Sequence, residues 1–294
     1  MELRQATVAA NGLRYGLLET GPADGPLALC LHGFPDSAWS WRHLLPELGR
    51  AGFHAVAPFL RGYHPTEVPA DARYQTGALV ADACALHGAL GGDGRAVLVG
   101  HDWGALTSYG AAALAPERWR RVVAMAVPPA PAVASAFFSY AQLRRSWYMF
   151  FFQLPLAEAA VGLDDLGFID RLWADWSPGY DAGDDLPRVK DCLRGPANLG
   201  AALGYYRALF DPARQSAELG AEQAATQAPT PQPTLYLHGA DDGCMGPELV
   251  QGETVLGHLG PGSRVALVPG AGHFLHLERP EAVDGLVVEF VTEG

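Results

Sequence analysis

Short runs rich in valine, leucine and alanine recur along the chain, and each is bounded by glycine or proline. Longer amphipathic stretches separate these runs. Buried strands that alternate with helices are typical of a parallel sheet covered by helices, so the pattern predicts an α/β fold. We predict strands at residues 27–31, 54–58, 96–100, 122–126, 234–238 and 264–268, and helices at 41–50, 74–90, 106–115, 247–259 and 280–291.

The alternation stops between about residues 128 and 233, where aromatic and acidic residues become more frequent and helical stretches follow one another. A polar, proline-containing linker, AATQAPTPQPTL, leads back to the next strand. We therefore predict an inserted helical lid at residues 131–230, between the two parts of an α/β core at 1–130 and 231–294.

Composition narrows the functional classes. The 294-residue chain is 49% hydrophobic and 18% charged, as expected of a compact globular protein. Its net charge of −12 argues against nucleic-acid binding. No segment resembles a signal peptide or approaches the ~20 apolar residues of a membrane span. We therefore expect a cytoplasmic protein. We also expect no metal site, because four cysteines lack metal-ligand spacing: Cys30, Cys84, Cys192 and Cys244.

The segment VGHDWG joins a predicted strand to a predicted helix and centres on Asp102. Gly100 and Gly104 lie two residues before and after it, as required for the sharp turn called a nucleophile elbow. A carboxylate with a reference pKa of about 3.9 is already ionised at neutral pH and can attack a saturated carbon that bears a leaving group. Alternatively, Asp102 only caps the following helix.

Two further residues follow later strands in the order expected of a catalytic triad, which is nucleophile, acid, histidine. Asp242 lies just beyond the strand at 234–238, with Asp241 as the alternative acid. His273 follows the strand at 264–268 in the glycine-rich loop GAGHF. We predict that His273 activates water and that Asp242 orients its ring. Each residue alone could equally be structural.

The segment LHGFP directly follows the strand at 27–31. Such a position lets a backbone N–H point at the carbonyl of the nucleophile, so we predict that the N–H groups of Phe34 and Trp103 form an oxyanion hole. The alternative is a tight turn that merely contains glycine and proline.

Across nearly the whole chain these motifs resemble the α/β-hydrolase-fold epoxide hydrolases, with haloalkane dehalogenases as close relatives. The resemblance rests on HGFPDSAWSWRHLLPEL, RGYHPTEVP, VGHDWG and GAGHFLHLERPEAV. It implies two lid tyrosines that protonate the epoxide oxygen: Tyr148, before an FQLP segment, and Tyr206, before an arginine, with Tyr205 as an alternative to Tyr206. Alternatively, these tyrosines are only core aromatic residues of a helical lid. Phe59 departs from the family pattern, which has aspartate there.

The resemblance implies an epoxide hydrolase that forms a vicinal diol through an Asp102 ester and requires no cofactor. We expect a monomer or homodimer and a small apolar or aryl epoxide, with a pocket formed by Phe34, Trp103, Trp147 and Phe152. Two alternatives remain. Trp103 could bind a departing halide in a haloalkane or haloacid dehalogenase, or the chain could be a noncatalytic ligand-binding member of the fold.

Overall fold

The computed structural model describes residues 1–250 and 252–293. An eight-stranded sheet forms its centre, in the order β1-β2-β4-β3-β5-β6-β7-β8. β1 and β2 form an antiparallel hairpin, β2 pairs antiparallel with β4, and the remaining pairs are parallel. The strands are β1 Arg4–Ala10, β2 Leu13–Thr20, β3 Leu27–Leu31, β4 His54–Pro58, β5 Ala96–His101, β6 Trp119–Met125, β7 Thr234–Gly239 and β8 Arg264–Val268.

Helices follow each strand from β3 onwards. Those of the core are α1 Leu44–Arg50, α2 Thr76–Ala89, α3 Trp103–Leu114, α12 Gly252–Leu256, α13 Leu275–Glu278 and α14 Pro280–Thr292. Between β6 and β7 the chain forms α4 Ala130–Ala136, α5 Tyr140–Arg145, α6 Trp147–Phe151, α7 Ala157–Val161, α8 Leu163–Trp176, α9 Leu186–Leu193, α10 Pro196–Phe210 and α11 Gly220–Ala225. Single 3-10 turns lie at Ala38–Arg42, Pro116–Arg118, Pro212–Arg214, Ala217–Leu219 and Pro247–Leu249.

The predicted α/β fold is confirmed, and each predicted strand coincides with an observed one within a few residues. Among the predicted helices, the one at 247–259 is not continuous in the structure. Its described part consists of the Pro247–Leu249 turn and α12, and residue 251 lies outside the described residues. The hairpin of β1 and β2 was missed, although Asn11 and Gly12 at its turn both have positive φ, as expected of an Asn-Gly hairpin turn.

Every residue of β3, β4, β5 and β7 is buried. Because successive side chains of a strand point to opposite faces, both faces of the central sheet must be covered. The carboxyl ends of β3, β5, β7 and β8 lie at one edge of this sheet, where the loops after these strands can meet. Within the described residues, the helices are all too short or too polar to cross a membrane.

Candidate active site

Asp102 lies at the sharp turn between β5 and α3. Its φ of 54° and ψ of −117° are strained for a residue with a side chain. The turn is so tight that both positions require glycine. A Cβ on Gly100 would lie 2.2 Å from the Gly104 carbonyl oxygen, and a Cβ on Gly104 would lie 2.0 Å from that of Leu31. The Asp102 side chain makes no capping hydrogen bond to α3. The position therefore has the geometry of a nucleophile elbow and not that of a helix cap.

The loop after β3 holds one oxygen of this carboxylate. The Phe34 N–H donates to Asp102 Oδ1 at 2.8 Å. A glycine precedes Phe34 because a Cβ at Gly33 would lie only 2.2 Å from the same oxygen. The Trp103 N–H also lies near enough to lower the pKa of Asp102. The two amides predicted to form the oxyanion hole thus both face the Asp102 carboxylate.

His273 and Asp242 complete the group. His273 Nδ1 lies 3.0 Å from Asp242 Oδ2, and His273 Nε2 lies 3.8 Å from Asp102 Oδ2. Asp242 Oδ1 accepts from the N–H groups of Cys244 and Met245, at 2.7 and 2.8 Å, which fixes its orientation. Asp241, the alternative acid, is exposed. Of the two carboxylates, Asp242 is therefore the one placed to orient the imidazole.

Burial sets the protonation chemistry of Asp102 and His273. Burial raises the pKa of Asp102, and the opposing effects of His273 and of the Phe34 and Trp103 amides only partly offset it. For His273 burial lowers the pKa, but Asp242 and Asp102 together outweigh burial, so the net pKa is raised. A carboxylate with a raised pKa is more basic than one in water, and an imidazole with a raised pKa is a stronger base.

Both predicted lid tyrosines lie over the elbow, and their rings contact each other with centroids 5.6 Å apart. Burial raises the pKa of each well above its ordinary value, so both remain protonated donors. The Tyr148 hydroxyl lies 3.5 Å from Cys244 Sγ. The Tyr206 hydroxyl has no hydrogen bond of normal geometry within the described residues, whereas the Tyr205 hydroxyl donates to the Arg61 carbonyl at 2.8 Å. Of the two neighbours, Tyr206 has the hydroxyl that is free to bind a ligand.

A cavity of about 320 Å³ connects these groups, and Asp102, Trp103, Tyr148 and Tyr206 line it. Phe34 and Phe152, which were predicted to form the pocket, do not line this cavity; they pack behind its wall, with ring centroids 5.2 and 5.3 Å from that of Tyr206. The site therefore combines a buried carboxylate, a histidine, phenols and an apolar enclosure. This combination suits nucleophilic attack on an apolar molecule whose leaving oxygen requires a proton.

Comparison with known proteins agrees with this chemistry. The family model described as alpha/beta hydrolase fold matches residues 26–280. Epoxide hydrolase A of Mycobacterium tuberculosis is 30% identical, over 97% of this chain and 96% of the relative. The chain belongs to the epoxide hydrolase family of α/β hydrolases. Mouse epoxide hydrolase 3 is also 30% identical, over 97% of this chain and 76% of the relative.

Solved structures of epoxide hydrolases match over almost their full length. Epoxide hydrolase A from Mycobacterium thermoresistibile is similar with a TM-score of 0.81 and 28% identity, covering 98% of each chain. The epoxide hydrolase of Bacillus megaterium, solved in complex with an inhibitor, has a TM-score of 0.82 and 26% identity, over 98% of this chain and all (100%) of that one. The shared fold therefore includes the helices between β6 and β7.

Trp147 does not join the pocket of this epoxide hydrolase family member, contrary to the prediction from sequence. Trp147 is 46% exposed, and its ring packs near those of Phe151 and Phe168. Trp147 and Tyr148 point about 100° apart around the axis of α6, and Tyr148 is the one of the two that faces the cavity. Trp147 instead lines a separate polar depression with Arg144 and Asp175.

Three buried residues behind His273 were not predicted. His101 Nε2 lies 2.9 Å from the His273 carbonyl oxygen and donates to it, which holds the loop after β8. His101 Nδ1 then faces Asp36 Oδ2 at 3.7 Å, and His276 lies beside His101 with ring centroids 4.7 Å apart. Burial raises the pKa of Asp36 to about 7. No spacing rule links residues 36, 101 and 276, and only the tertiary structure brings them together.

In the described part of the chain, potential metal-ligand atoms occur in two buried groups. One consists of Asp36, His101 and His276, and the other of Asp242, Cys244 and His273; within each, the ligand atoms lie within 4.8 Å of one another. In the second group both Asp242 oxygens already accept hydrogen bonds. That the reaction needs no metal stays a prediction.

Cys244 and Trp176 are also close to the reacting groups without a sequence signal. Cys244 reaches the Tyr148 hydroxyl. The Trp176 ring lies 5.1 Å from that of His273 and 4.9 Å from that of Tyr148, measured between centroids. Trp176 lies at the end of α8, nearly a hundred residues before His273, so its contact with the base could be found only from the fold.

Proposed function

We propose that this member of the epoxide hydrolase family converts an epoxide into a vicinal diol through a covalent ester on Asp102. One observation carries the proposal: the buried carboxylate at the elbow shares its cavity with two buried phenols, Tyr148 and Tyr206. An epoxide oxygen leaves as a strongly basic alkoxide, so its departure requires an acid. A halide leaves without one.

In the first step Asp102 Oδ2 attacks one epoxide carbon, and the ring C–O bond breaks. The departing oxygen takes the electron pair of that bond and a proton from Tyr206 or Tyr148. Oδ2 is the attacking atom because the Phe34 N–H already holds Oδ1. The high pKa of both phenols keeps the proton available until the alkoxide forms.

In the second step His273 removes a proton from water, and the hydroxide attacks Cγ of the Asp102 ester. The negative charge that develops on Oδ1 is stabilised by the Phe34 and Trp103 N–H groups. Collapse breaks the bond between Cγ and Oδ2, and His273 returns its proton to the departing alkoxide. The remaining proton on the regenerated carboxyl passes through solvent to the phenolate.

The proposed lid comprises residues 131–230. In support of this division, Tyr148 on α6 and Tyr206 on α10 both come from the helices between β6 and β7, while Asp102, Asp242 and His273 follow strands of the sheet. An apolar or aryl epoxide is the proposed substrate, because apolar side chains such as Trp103, Leu106 and Val133 line the cavity beside the phenols. A cytoplasmic location is proposed too, in keeping with four free cysteines: Cys30, Cys84, Cys192 and Cys244.

The proposal is tested by diol formation from aryl and alkyl epoxides, with halide release from haloalkanes measured in parallel. Asp102→Ala is expected to abolish diol formation. His273→Gln is expected to accumulate the ester, visible as a mass increase on Asp102 equal to the substrate. Halide without diol would indicate a dehalogenase that uses the Trp103 indole. Ligand binding without turnover, unchanged in Asp102→Ala, would indicate a noncatalytic protein.

A further inference from the structure

The cavity over Asp102 extends along two helices towards the surface. On α3, Trp103 and Leu106 both line it, and on α10, Tyr206 and Phe210 do. Residues four apart lie on one helix face and about 6 Å apart along the axis, so Phe210 lies one turn further out than Tyr206. At the outer end Phe138 is 74% exposed and Phe210 is 37% exposed. The cavity therefore extends from Asp102 to the surface near Phe138 and Phe210, and we call it the channel.

The channel wall beyond the phenols is apolar. Helix α4 contributes Val133 and Ala134, and the residue after it, Phe137, also lines the channel. The Phe137 ring lies 6.5 Å from that of Phe210, and the Phe150 and Phe210 rings stack at 5.3 Å. These aromatic side chains form a rim around the opening that a chain-like apolar group can pass.

The channel offers no partner for a negatively charged substrate. In the described part of the chain, the residues that line it include no lysine, arginine or histidine, and Gln227 is the polar side chain at its outer part. A carboxylate in this wall would lose its hydration without gaining a cation, and it would be repelled by Asp102.

We propose that the substrate is an uncharged epoxide with an extended apolar chain. The oxirane lies between Asp102 and Tyr206, the chain passes Leu106 and Val133, and its end reaches the aromatic rim at Phe137 and Phe210. This inference rests on the proposed function, because the Asp102 ester fixes where the oxirane lies. It adds that chain length and absence of charge select the substrate.

A series of terminal epoxides tests chain length: epoxybutane, epoxyoctane and epoxydodecane. Burial of each added methylene is expected to raise kcat/KM by about fourfold, equivalent to about 0.8 kcal/mol, until the chain passes the rim and the increase stops. The terminal epoxide of undecenoic acid, compared as methyl ester and as free carboxylate, tests charge. We expect kcat/KM of the ester to exceed that of the acid by about tenfold or more.

Matched variants locate the effect. Leu209 and Leu256 are both 40% exposed, but only Leu209 lines the channel. Leu209→Ser is expected to lower the ratio of kcat/KM for epoxydodecane to that for epoxybutane by about fivefold, whereas Leu256→Ser leaves the ratio unchanged. Ala134→Arg adds a cation at an exposed lining position of α4 and is expected to raise kcat/KM for the free acid while lowering it for the ester.

The outcomes separate the inference from the proposed function. Asp102-dependent hydrolysis of epoxybutane with no gain for longer chains, or equal rates for ester and acid, would overturn the inference and leave the epoxide hydrolase assignment standing. Equal effects of Leu209→Ser and Leu256→Ser would also overturn it. If the protein formed no diol from any of these epoxides, the proposed function would fail, and the inference with it.

Discussion

Tyr205 and Tyr206 are neighbours on α10, but their hydroxyls have opposite surroundings. Tyr205 donates to the Arg61 carbonyl at 2.8 Å, whereas Tyr206 is without a hydrogen bond of normal geometry within the described residues and lies in the Asp102 cavity. One phenol therefore fastens α10 to the core, and the other remains available to the substrate.

This difference predicts opposite effects for the same change. Tyr206→Phe removes an acid and is expected to slow formation of the Asp102 ester by about 10- to 100-fold. Tyr205→Phe leaves a buried carbonyl unpaired, so it is expected to lower the free energy of unfolding by about 1–3 kcal/mol with less than a threefold (~3) effect on ester formation. Single-turnover kinetics and urea unfolding distinguish the two. Equal kinetic effects would contradict the choice of Tyr206.

Gly33→Ala is expected to disable the nucleophile without unfolding the protein. The added Cβ would lie 2.2 Å from Asp102 Oδ1, so the carboxylate or the Phe34 amide must move. Displacements of about 1 Å commonly cost about 100-fold in rate. Gly88→Ala is the control, since a Cβ there meets no atom within 4 Å and should stabilise α2 by about 0.5–1 kcal/mol. Near-normal diol formation by Gly33→Ala would show that the loop adjusts freely.

The two adjacent carboxylates after β7 provide another matched pair. Asp242→Asn retains the size of the side chain but cannot stabilise a protonated His273, so hydrolysis of the ester is expected to fall by about a thousandfold or more. Asp241→Asn alters an exposed side chain and is expected to have no measurable effect. The decay of the ester in single-turnover experiments reports the difference. A defect in the Asp241 variant instead would exchange the two roles.

The two steps are expected to differ in pH dependence. Ester formation requires ionised Asp102. Burial raises the pKa of Asp102 above 3.8, and ester formation declines as the pH falls through this raised pKa. Ester hydrolysis requires neutral His273, whose pKa is raised above 6.5 by Asp242 and Asp102 despite burial. As the pH falls, ester hydrolysis therefore declines before ester formation does. Between these limits the ester should accumulate, detectable by intact-mass measurement after acid quench. A constant ester level across this range would contradict the assignment of His273 as the base.

Asp284 predicts a pH effect on stability alone. This carboxyl on α14 is buried, its Oδ1 has no hydrogen-bond partner within the described residues, and burial raises its pKa to about 7. A carboxyl with a higher pKa in the folded than in the unfolded state stabilises the fold when protonated, and this stability is lost as the pH rises from about 4 to about 7. Asp284→Asn should therefore raise Tm more at pH ~8 than at pH ~5, and the difference between the two gains should be equivalent to at most about 3 kcal/mol. A larger gain at the lower pH would exclude this cause.

The sequence predicted most of the sheet because buried parallel strands are continuous apolar runs with glycine or proline at their ends, as in β3 and β4. β1 was missed because its exposed edge position leaves residues such as Arg4 and Gln5 in the strand, so no apolar run marks it. Asp102, Asp242 and His273 could be proposed because each lies within five residues of the end of a strand that the pattern reveals.

The lid was less predictable for a physical reason. Its aromatic residues are similar in sequence context, and only the phase of each short helix decides which of them faces the cavity. Trp147 and Tyr148 are adjacent, but Trp147 is exposed and Tyr148 is buried. Tyr205 and Tyr206 are both buried, but only the Tyr205 hydroxyl donates to the Arg61 carbonyl. Asp36 lies in the loop after β3, His101 at the end of β5 and His276 in α13, so their proximity is a property of the tertiary structure.

The two oxygens of Asp102 are not equivalent, since the Phe34 N–H holds Oδ1 while Oδ2 faces His273. In the proposed reaction Oδ2 departs with the diol, and an oxygen from solvent replaces it. The protein therefore supplies one oxygen atom to the product in each turnover. In water labelled with the heavy oxygen isotope, the first diol contains the original Oδ2 atom, and the label appears first in the Asp102 carboxylate. Over many cycles the outer oxygen of this one side chain is renewed continually, although the chain itself is never resynthesised.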